Sequence, residues 1–181
     1  MKKYGKSKSD FKVLKSKPIF KGKLLSVSTK KIKLPNGHIS NFEVIEHPGA
    51  ALVVPFITKN KIALIKQLRP VINSYIYELP AGTLEKGETP LRCAKREIIE
   101  ETGYSASKLT RLGVIFPVPG YSTEKITVYK AEGLKKHKTR KEIDEIIESC
   151  EVTKSQLKTL FRDGKIADAK TICALSYCGL L

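Results

Sequence analysis

The segment 82–104, GTLEKGETPLRCAKREIIEETGY, constrains the fold and function of this chain more than any other part of the sequence. Thr89 followed by Pro90 predicts the start of a helix, because threonine caps a first turn and proline at the first helical position loses no hydrogen bond. Gly103 predicts the end, because glycine readily adopts the left-handed conformation that closes a helix. The segment therefore predicts a helix from Pro90 to about Thr102.

One side of this predicted helix carries apolar residues and the other carries charges. Leu91, Ala94 and Ile98 recur at helical spacing and are expected to face the core, with Cys93 beside them. The four cysteines of the chain form no C-x-x-C pair, and no histidine spacing indicates zinc. We therefore expect ordinary reduced thiols.

Three glutamates share one side of the predicted helix, in a chain with a formal net charge of +16. Glu97, Glu100 and Glu101 stand at helical spacing, so their carboxylates are neighbours that repel by roughly a few tenths of a kcal/mol per pair. A solvated acidic helix face is one explanation. A bound divalent cation is the other, because Mg²⁺ selects carboxylate oxygens and completes its shell with water and substrate phosphates.

Residues at fixed positions across the segment form a recognisable pattern. They are Gly82, Glu88, Arg96, Glu97, Ile98, Glu100, Glu101, Gly103 and Tyr104. The pattern resembles the Nudix box, the signature of the Nudix hydrolase family, with a tyrosine where an aliphatic residue is more usual at the last position. The resemblance implies an α/β (α+β) protein with the Nudix fold, an α-β-α sandwich with a mixed sheet, and a small N-terminal antiparallel β region.

The same resemblance implies an enzyme that uses Mg²⁺, or alternatively Mn²⁺, to hydrolyse a nucleoside diphosphate linked to another moiety. Glu97 and Glu101 would be the main metal ligands, with Glu100 nearby or shared. The backbone carbonyl of Ala81 would add another oxygen ligand. Arg96 would pair with a neighbouring carboxylate and hold it in place. The cation would neutralise pyrophosphate oxygens and lower the pKa of a bound water.

Sequences outside the box resemble the ADP-ribose pyrophosphatases and nucleoside diphosphate sugar hydrolases of this family. They are QLRP from position 67, ELPAG from position 78 and PGYSTE from position 119. By this resemblance Arg69 would contact a substrate phosphate. Glu78 would bind the base or ribose, and Glu124 the terminal ribose or sugar hydroxyls. Pro119 and Gly120 complete the substrate-binding set.

The resemblance leaves the substrate and the general base with alternatives. ADP-ribose, cleaved to AMP and ribose 5-phosphate, is the first expectation, and GDP-mannose or a broad range of nucleoside diphosphate sugars is the second. The general base of the subgroup lies on a loop after the box, which corresponds here to residues 140–145. Glu145 is the first candidate and Glu142 the second, although Ile143 departs from the acidic pattern of the subgroup.

The rest of the chain predicts one domain with a small attached element. Residues 1–10 are predicted to be a flexible basic tail, residues 11–46 an antiparallel β region with a hairpin turn at Asn36-Gly37, and residues 47–181 the hydrolase domain. By the resemblance, the β region would mediate a homodimer.

Sequence patterns outside residues 82–104 predict further strands and two further helices, as expected for a mixed α/β or α+β domain. Apolar runs and alternating patterns predict strands over residues 50–57, 62–68, 76–79, 109–116 and 126–131, and residues 143–152 are ambiguous. Thr153 and Gln156 predict a capping box at the start of one helix. Asp168 predicts the N-cap of a final helix that reaches Tyr177.

The charge of the chain indicates which kinds of partner it can bind. The pI of about 9.7 favours anionic ligands such as phosphorylated small molecules. A nucleic-acid-binding Nudix protein that acts on RNA ends is a third hypothesis, but the intact box and the absence of interleaved basic and aromatic residues argue against it.

No apolar run is long enough for a membrane span. The basic N-terminus lacks an apolar secretory segment, so we expect a cytoplasmic protein.

Overall fold

A computed structural model gives the fold and describes residues 10–137 and 146–181. The described chain divides into two compact units. The smaller unit contains residues 10–47 and 118–124, and the larger unit contains residues 48–117 and the described residues from 125 onward.

The smaller unit is built on a three-stranded antiparallel sheet in the order β1-β2-β3. Its strands are β1 (Lys12–Lys21), β2 (Ser26–Lys33) and β3 (Ile39–Glu46). The predicted hairpin turn is confirmed, with Gly37 at a φ of 83°, which glycine adopts without strain. Residues 118–124 join this unit through Ile45, whose N–H donates to the carbonyl of Tyr121 at 2.8 Å.

The larger unit is built on a seven-stranded sheet. Its strands are β4 (Ala50–Thr58), β5 (Lys61–Arg69), β6 (Ser74–Glu78), β7 (Ala81–Thr83), β8 (Tyr104–Ile115), β9 (Ile126–Lys136) and β10 (Ile147–Thr153). The main order is β10-β5-β4-β9-β8, with β6 paired to β5 and β7 paired to β4. Strands β4 and β9 run parallel while the other pairs are antiparallel, so the expected mixed sheet is confirmed.

Three α-helices belong to the larger unit: α1 (Pro90–Thr102), α2 (Lys154–Arg162) and α3 (Ala169–Tyr177). Their predicted caps are confirmed: Thr89 accepts a hydrogen bond from the first turn of α1, a capping box opens α2, and Asp168 caps α3. A single 3₁₀ turn covers Pro70–Ile72. No helix in residues 10–137 and 146–181 is long and apolar enough to cross a membrane.

Alternating residues of β4 pack against helices on opposite faces of the sheet. Ala51 and Val53 belong to a cluster with the buried residues of α1, which are Cys93, Ala94 and Ile98. Leu52 and Val54 belong to a second cluster that contains Leu157 of α2 and Leu175 of α3. This arrangement is the expected α-β-α sandwich.

The bounds of several strands and the burial of some α1 residues differ from the sequence predictions. Strands β8 and β9 are longer than predicted because the residues beyond their predicted bounds also pair with each other, Tyr104 with Lys136. Residues 81–83 form a short strand against β4 that the sequence analysis did not predict. Leu91, expected in the core, is exposed, and the glutamates Glu97 and Glu101 take buried positions on α1 instead.

Candidate active site

The last turns of α1 lie against the backbone of β7. The N–H of Ala81 donates a hydrogen bond to Oε2 of Glu101 at 2.8 Å. At Gly82, an added Cβ atom would lie 1.6 Å from Oε1 of Glu97. The carboxylate of Glu97 therefore occupies the space that any side chain at position 82 would need, which explains the glycine.

Two of the three helical glutamates are buried. Glu97 is 8% exposed and Glu101 is 3% exposed, whereas Glu100 is half-buried. Burying a carboxylate is unfavourable unless positive charge or hydrogen bonds compensate it. A solvated acidic helix face therefore does not describe these two residues.

Arg96 supplies positive charge to Glu97 and ties α1 to the loop before it. Its Nη1 lies 2.5 Å from Oε1 of Glu97 and 3.1 Å from Oε2 of Glu100. Its Nε and Nη2 bind both carboxylate oxygens of Glu88 at 3.1 and 3.0 Å, and Nη2 also donates to the carbonyl of Thr83. The hydrogen bond from Arg96 is the main reason that the pKa of Glu88 lies below its ordinary value.

Cys93 lies beneath this cluster and is fully buried. Its Sγ is 3.3 Å from the carbonyl oxygen of Gly82. Burial raises the pKa of the thiol to about 12, so the side chain stays neutral and acts as a small packing group. All four cysteines are free thiols in the structure.

The donor atoms at this site suit a hard divalent cation in their chemistry. They are the carboxylates of Glu97, Glu100 and Glu101 and the carbonyl oxygen of Ala81, all of them oxygen ligands. Within residues 10–137 and 146–181, no group of three or more His, Cys, Asp or Glu side chains is already arranged to hold a metal ion. Arg96 bridges Glu97 and Glu100 and so holds these two carboxylates close together.

A second charged cluster surrounds Glu78, whose side chain is 1% exposed. Arg69 binds it in bidentate fashion, with Nε at 2.6 Å from Oε1 and Nη2 at 2.8 Å from Oε2. Nζ of Lys170 also donates to Oε2, and it contacts Oδ1 of Asp168 at 3.0 Å. Burial alone would raise the pKa of Glu78, but Arg69 and Lys170 outweigh it and lower that pKa.

The two clusters lie close together. Only Leu79 and Pro80 separate Glu78 from Ala81 along the chain. The charge of Glu101 helps to raise the pKa of Arg69, after the larger effect of the hydrogen bonds to Glu78. The structure therefore brings the predicted phosphate-binding arginine near the predicted metal ligands.

The remaining predicted site residues belong to the smaller unit or lie outside the described residues. Pro119, Gly120 and Glu124 belong to the smaller unit, where the first two are exposed and Glu124 is half-buried. Glu142 and Glu145 lie outside the described residues.

The residue that follows Glu145 is the nearest described point to the predicted general base. The carbonyl of Ile146 accepts a hydrogen bond from the N–H of Leu68 at 3.1 Å, and Leu68 precedes Arg69. Strand β10 then begins at Ile147, which pairs with Gln67. The chain thus enters the sheet beside the strand that carries Arg69.

Sequence reasoning missed Lys170 and recognised Asp168 only as a helix cap. Asp168 does cap α3, because its Oδ2 accepts from the N–H of Thr171 at 2.9 Å, but its other oxygen holds Lys170. One sequence signal could have indicated that Glu78 needs a cationic partner such as Lys170. Glu78 stands between Tyr77 and Leu79 in the predicted strand 76–79, and a buried acid requires cationic partners.

A cavity of about 620 Å³ lies in the larger unit, away from these clusters. Its lining includes Phe56, Lys59, Lys130, Lys154 and Tyr177, and it contains none of the predicted site residues that the structure describes. It lies toward the Thr58 end of β4, whereas β7 pairs with the Ala50 end. We place the candidate active site at the carboxylates of α1, because the carboxylate that lines the cavity, Glu132, is paired with Lys130 at 2.7 Å.

Comparisons with known proteins give a family match, relatives in sequence and a match in fold. A model of the NUDIX domain matches residues 46–175. The chain is 39% identical over 171 residues to the ADP-ribose pyrophosphatase of Bacillus subtilis (strain 168), covering 93% of this chain and 92% of the relative. It is 36% identical over 171 residues to the methanol dehydrogenase activator of Bacillus methanolicus, with the same coverage. The crystal structure of an ADP compounds hydrolase matches with a TM-score of 0.79 at 22% identity, covering 93% of this chain and 91% of that one.

Proposed function

This chain belongs to the NUDIX domain family, and from that premise we propose that it hydrolyses the pyrophosphate of ADP-ribose. Water attacks one phosphorus atom, the bond from that phosphorus to the bridging oxygen breaks, and the other phosphate leaves with the bridging oxygen. The products are AMP and ribose 5-phosphate, and the proton of the attacking water passes to a base.

The observation that carries the proposal is the pair of buried carboxylates, Glu97 and Glu101, held at the backbone of Ala81 and Gly82. Two buried carboxylates beside the same short strand are better explained by metal-assisted hydrolysis than by a solvent-exposed acidic helix face. The 39% sequence identity with an ADP-ribose pyrophosphatase, which extends over 93% of this chain, supports the choice of ADP-ribose.

We propose Mg²⁺ as the cofactor, with Mn²⁺ as the alternative. Glu97, Glu100, Glu101 and the carbonyl of Ala81 would hold it, because their oxygens are the ligands that hard cations prefer. When bound, the cation would neutralise the pyrophosphate oxygens and lower the pKa of a bound water.

We assign further roles to three kinds of side chain: one that orients the carboxylates, one that binds phosphate and one that acts as general base. Arg96 orients Glu97, Glu100 and Glu88 through four hydrogen bonds. Arg69 binds a substrate phosphate. Glu145 is the first candidate for the general base, supported by the hydrogen bond between Ile146 and Leu68 next to Arg69, and Glu142 is the second.

The smaller unit has two proposed roles. Pro119, Gly120 and Glu124 would contact the terminal ribose, since Glu124 offers a half-buried carboxylate that can accept hydrogen bonds from sugar hydroxyls. Strands of residues 11–46 would form a homodimer, which is supported by exposed apolar side chains such as Ile19 and Phe20 on β1. A cytoplasmic location stays a prediction.

A substrate panel tests the proposal. The protein is incubated with Mg²⁺ and ADP-ribose, GDP-mannose, UDP-glucose or NADH, and the products are separated by chromatography. We expect fastest turnover of ADP-ribose, with AMP and ribose 5-phosphate as products. Preference for GDP-mannose would replace ADP-ribose with the alternative substrate, and no turnover of either compound would overturn the proposal.

A further inference from the structure

Glu78 is the most deeply buried of the charged groups around the candidate site, and two cations share it. Arg69 and Lys170 both donate to its carboxylate, and Asp168 contacts the same lysine. Both carboxylate oxygens are therefore engaged within the protein. A direct contact between Glu78 and a base or ribose, as expected from the sequence, would require these ion pairs to open.

Arg69 keeps donors available after binding Glu78. A guanidinium has five N–H donors, and the bidentate contact uses one on Nε and one on Nη2. The side chain is still 40% exposed, so part of the guanidinium faces solvent. An arginine held rigidly at one edge and open at another suits the recognition of a phosphate.

Lys170 connects this arrangement to the start of α3. Its side chain is 19% exposed and lies between Glu78 and Asp168. Asp168 is fixed because it also caps α3. Thr171, which is fully buried, accepts a hydrogen bond from the N–H of Leu79 at 3.0 Å, so the helix end is anchored next to Glu78.

We propose that Glu78 is a positioning residue for substrate binding. It fixes the guanidinium of Arg69 so that the free N–H groups meet the substrate pyrophosphate, and Lys170 with Asp168 holds Glu78 in its orientation. The inference rests on the proposed function, because the pyrophosphate is the ligand of Arg69. A purely structural role explains the arrangement less well, since buried ion pairs contribute little net stability compared with apolar packing.

The first test replaces Glu78 with glutamine, which keeps the shape and removes the charge. We expect KM for ADP-ribose to rise at least about tenfold, because charged hydrogen bonds to Arg69 no longer orient it, with kcat changing much less. The matched control is Glu151→Gln, since Glu151 also pairs with a cation in the same sheet, Lys61 at 3.1 Å. The control is expected to leave KM unchanged.

A double variant separates positioning from general damage. With Arg69→Ala as background, Glu78→Gln should cause no further rise in KM, because Glu78 acts through Arg69. An equal rise in both backgrounds would overturn the inference. If Glu78→Gln does not fold, Lys170→Met decides by the same criterion: a raised KM only when Arg69 is present supports the inference, and an unchanged KM overturns it.

Binding without turnover distinguishes failure of the inference from failure of the proposed function. The α,β-methylene analogue of ADP-ribose cannot be split at the bridge, so calorimetry with Mg²⁺ measures affinity alone. If the wild-type protein neither hydrolyses ADP-ribose nor binds the analogue, the proposed function is overturned and the inference with it. If it does both and Glu78→Gln binds the analogue equally well, only the inference is overturned.

Discussion

At the residue scale, Gly82 shows how a fixed glycine serves a neighbouring side chain rather than its own backbone. Its φ is not in the left-handed region, so conformational freedom is not the reason for glycine here. The reason is space, because Glu97 fills the position of the missing Cβ atom. A motif glycine can therefore be required by packing against a functional carboxylate.

Gly82→Ala is expected to displace Glu97 and to lower kcat/KM by about 10- to 100-fold, the range seen when supports of a metal ligand are lost. It should also destabilise the fold by about 1–3 kcal/mol through overpacking. Steady-state kinetics and urea denaturation measure the two effects. Gly87→Ala is the control outside the contact, since an added Cβ there meets nothing within 4 Å, although its positive φ will cost some stability.

Glu101→Gln tests the proposed metal ligand with the smallest change in shape. The amide oxygen can still accept the hydrogen bond from the N–H of Ala81, so the fold should survive. We expect Mg²⁺-dependent turnover to fall by at least about 100-fold, because a neutral amide holds a hard cation less well than a carboxylate. Unchanged turnover would remove the metal-ligand role, and the exposed Glu85→Gln is the control.

At the element scale, each helix of the larger unit begins at a cap that its own sequence supplies. Thr89, Thr153 and Asp168 each accept a hydrogen bond from the first turn that follows. These contacts span three residues, so local sequence was sufficient to predict them. The extensions of β8 and β9 and the short strand β7 were missed, because pairing with a distant strand creates them.

The ion pair between Glu88 and Arg96 joins the loop before α1 to the helix, and it predicts sensitivity to acid. The folded-state pKa of Glu88 lies below its ordinary 4.5, so its ionised form stabilises the fold above that pH. This contribution is lost as the pH falls through the folded-state pKa.

We therefore expect Glu88→Gln to destabilise the protein at pH 7, with the difference from wild type shrinking below pH 4.5. Urea denaturation at neutral and acid pH measures the free energy of unfolding of both proteins. Glu148→Gln, at an exposed position on β10, serves as control. A difference that stays constant across this range would refute the role assigned to the ion pair.

At the scale of the whole molecule, the smaller unit carries exposed apolar side chains on β1. Ile19 and Phe20 are both exposed there, and large apolar groups in an exposed cluster are typical of protein interfaces. Their exposure supports the homodimer that we propose.

Replacing both Ile19 and Phe20 with lysine should weaken the dimer at least about tenfold, because charge would then be placed in an apolar interface. Sedimentation velocity over a range of concentrations measures the dissociation constant. Val71→Lys changes an exposed apolar residue of the larger unit and should have no effect. A wild-type protein that stays monomeric at all concentrations would contradict the proposal.

The sequence by itself determined the family, the fold class, the caps of the helices and the gathering of three glutamates on α1. The caps and the glutamate face depend on residues within a few positions of one another, where spacing and side-chain chemistry are sufficient. The family and the fold class followed from the resemblance of residues 82–104 to the Nudix box. Only the tertiary structure decided which charges meet. Glu78 and Lys170 are 92 positions apart, and they meet because the first turn of α3 is hydrogen-bonded to Leu79, directly after β6.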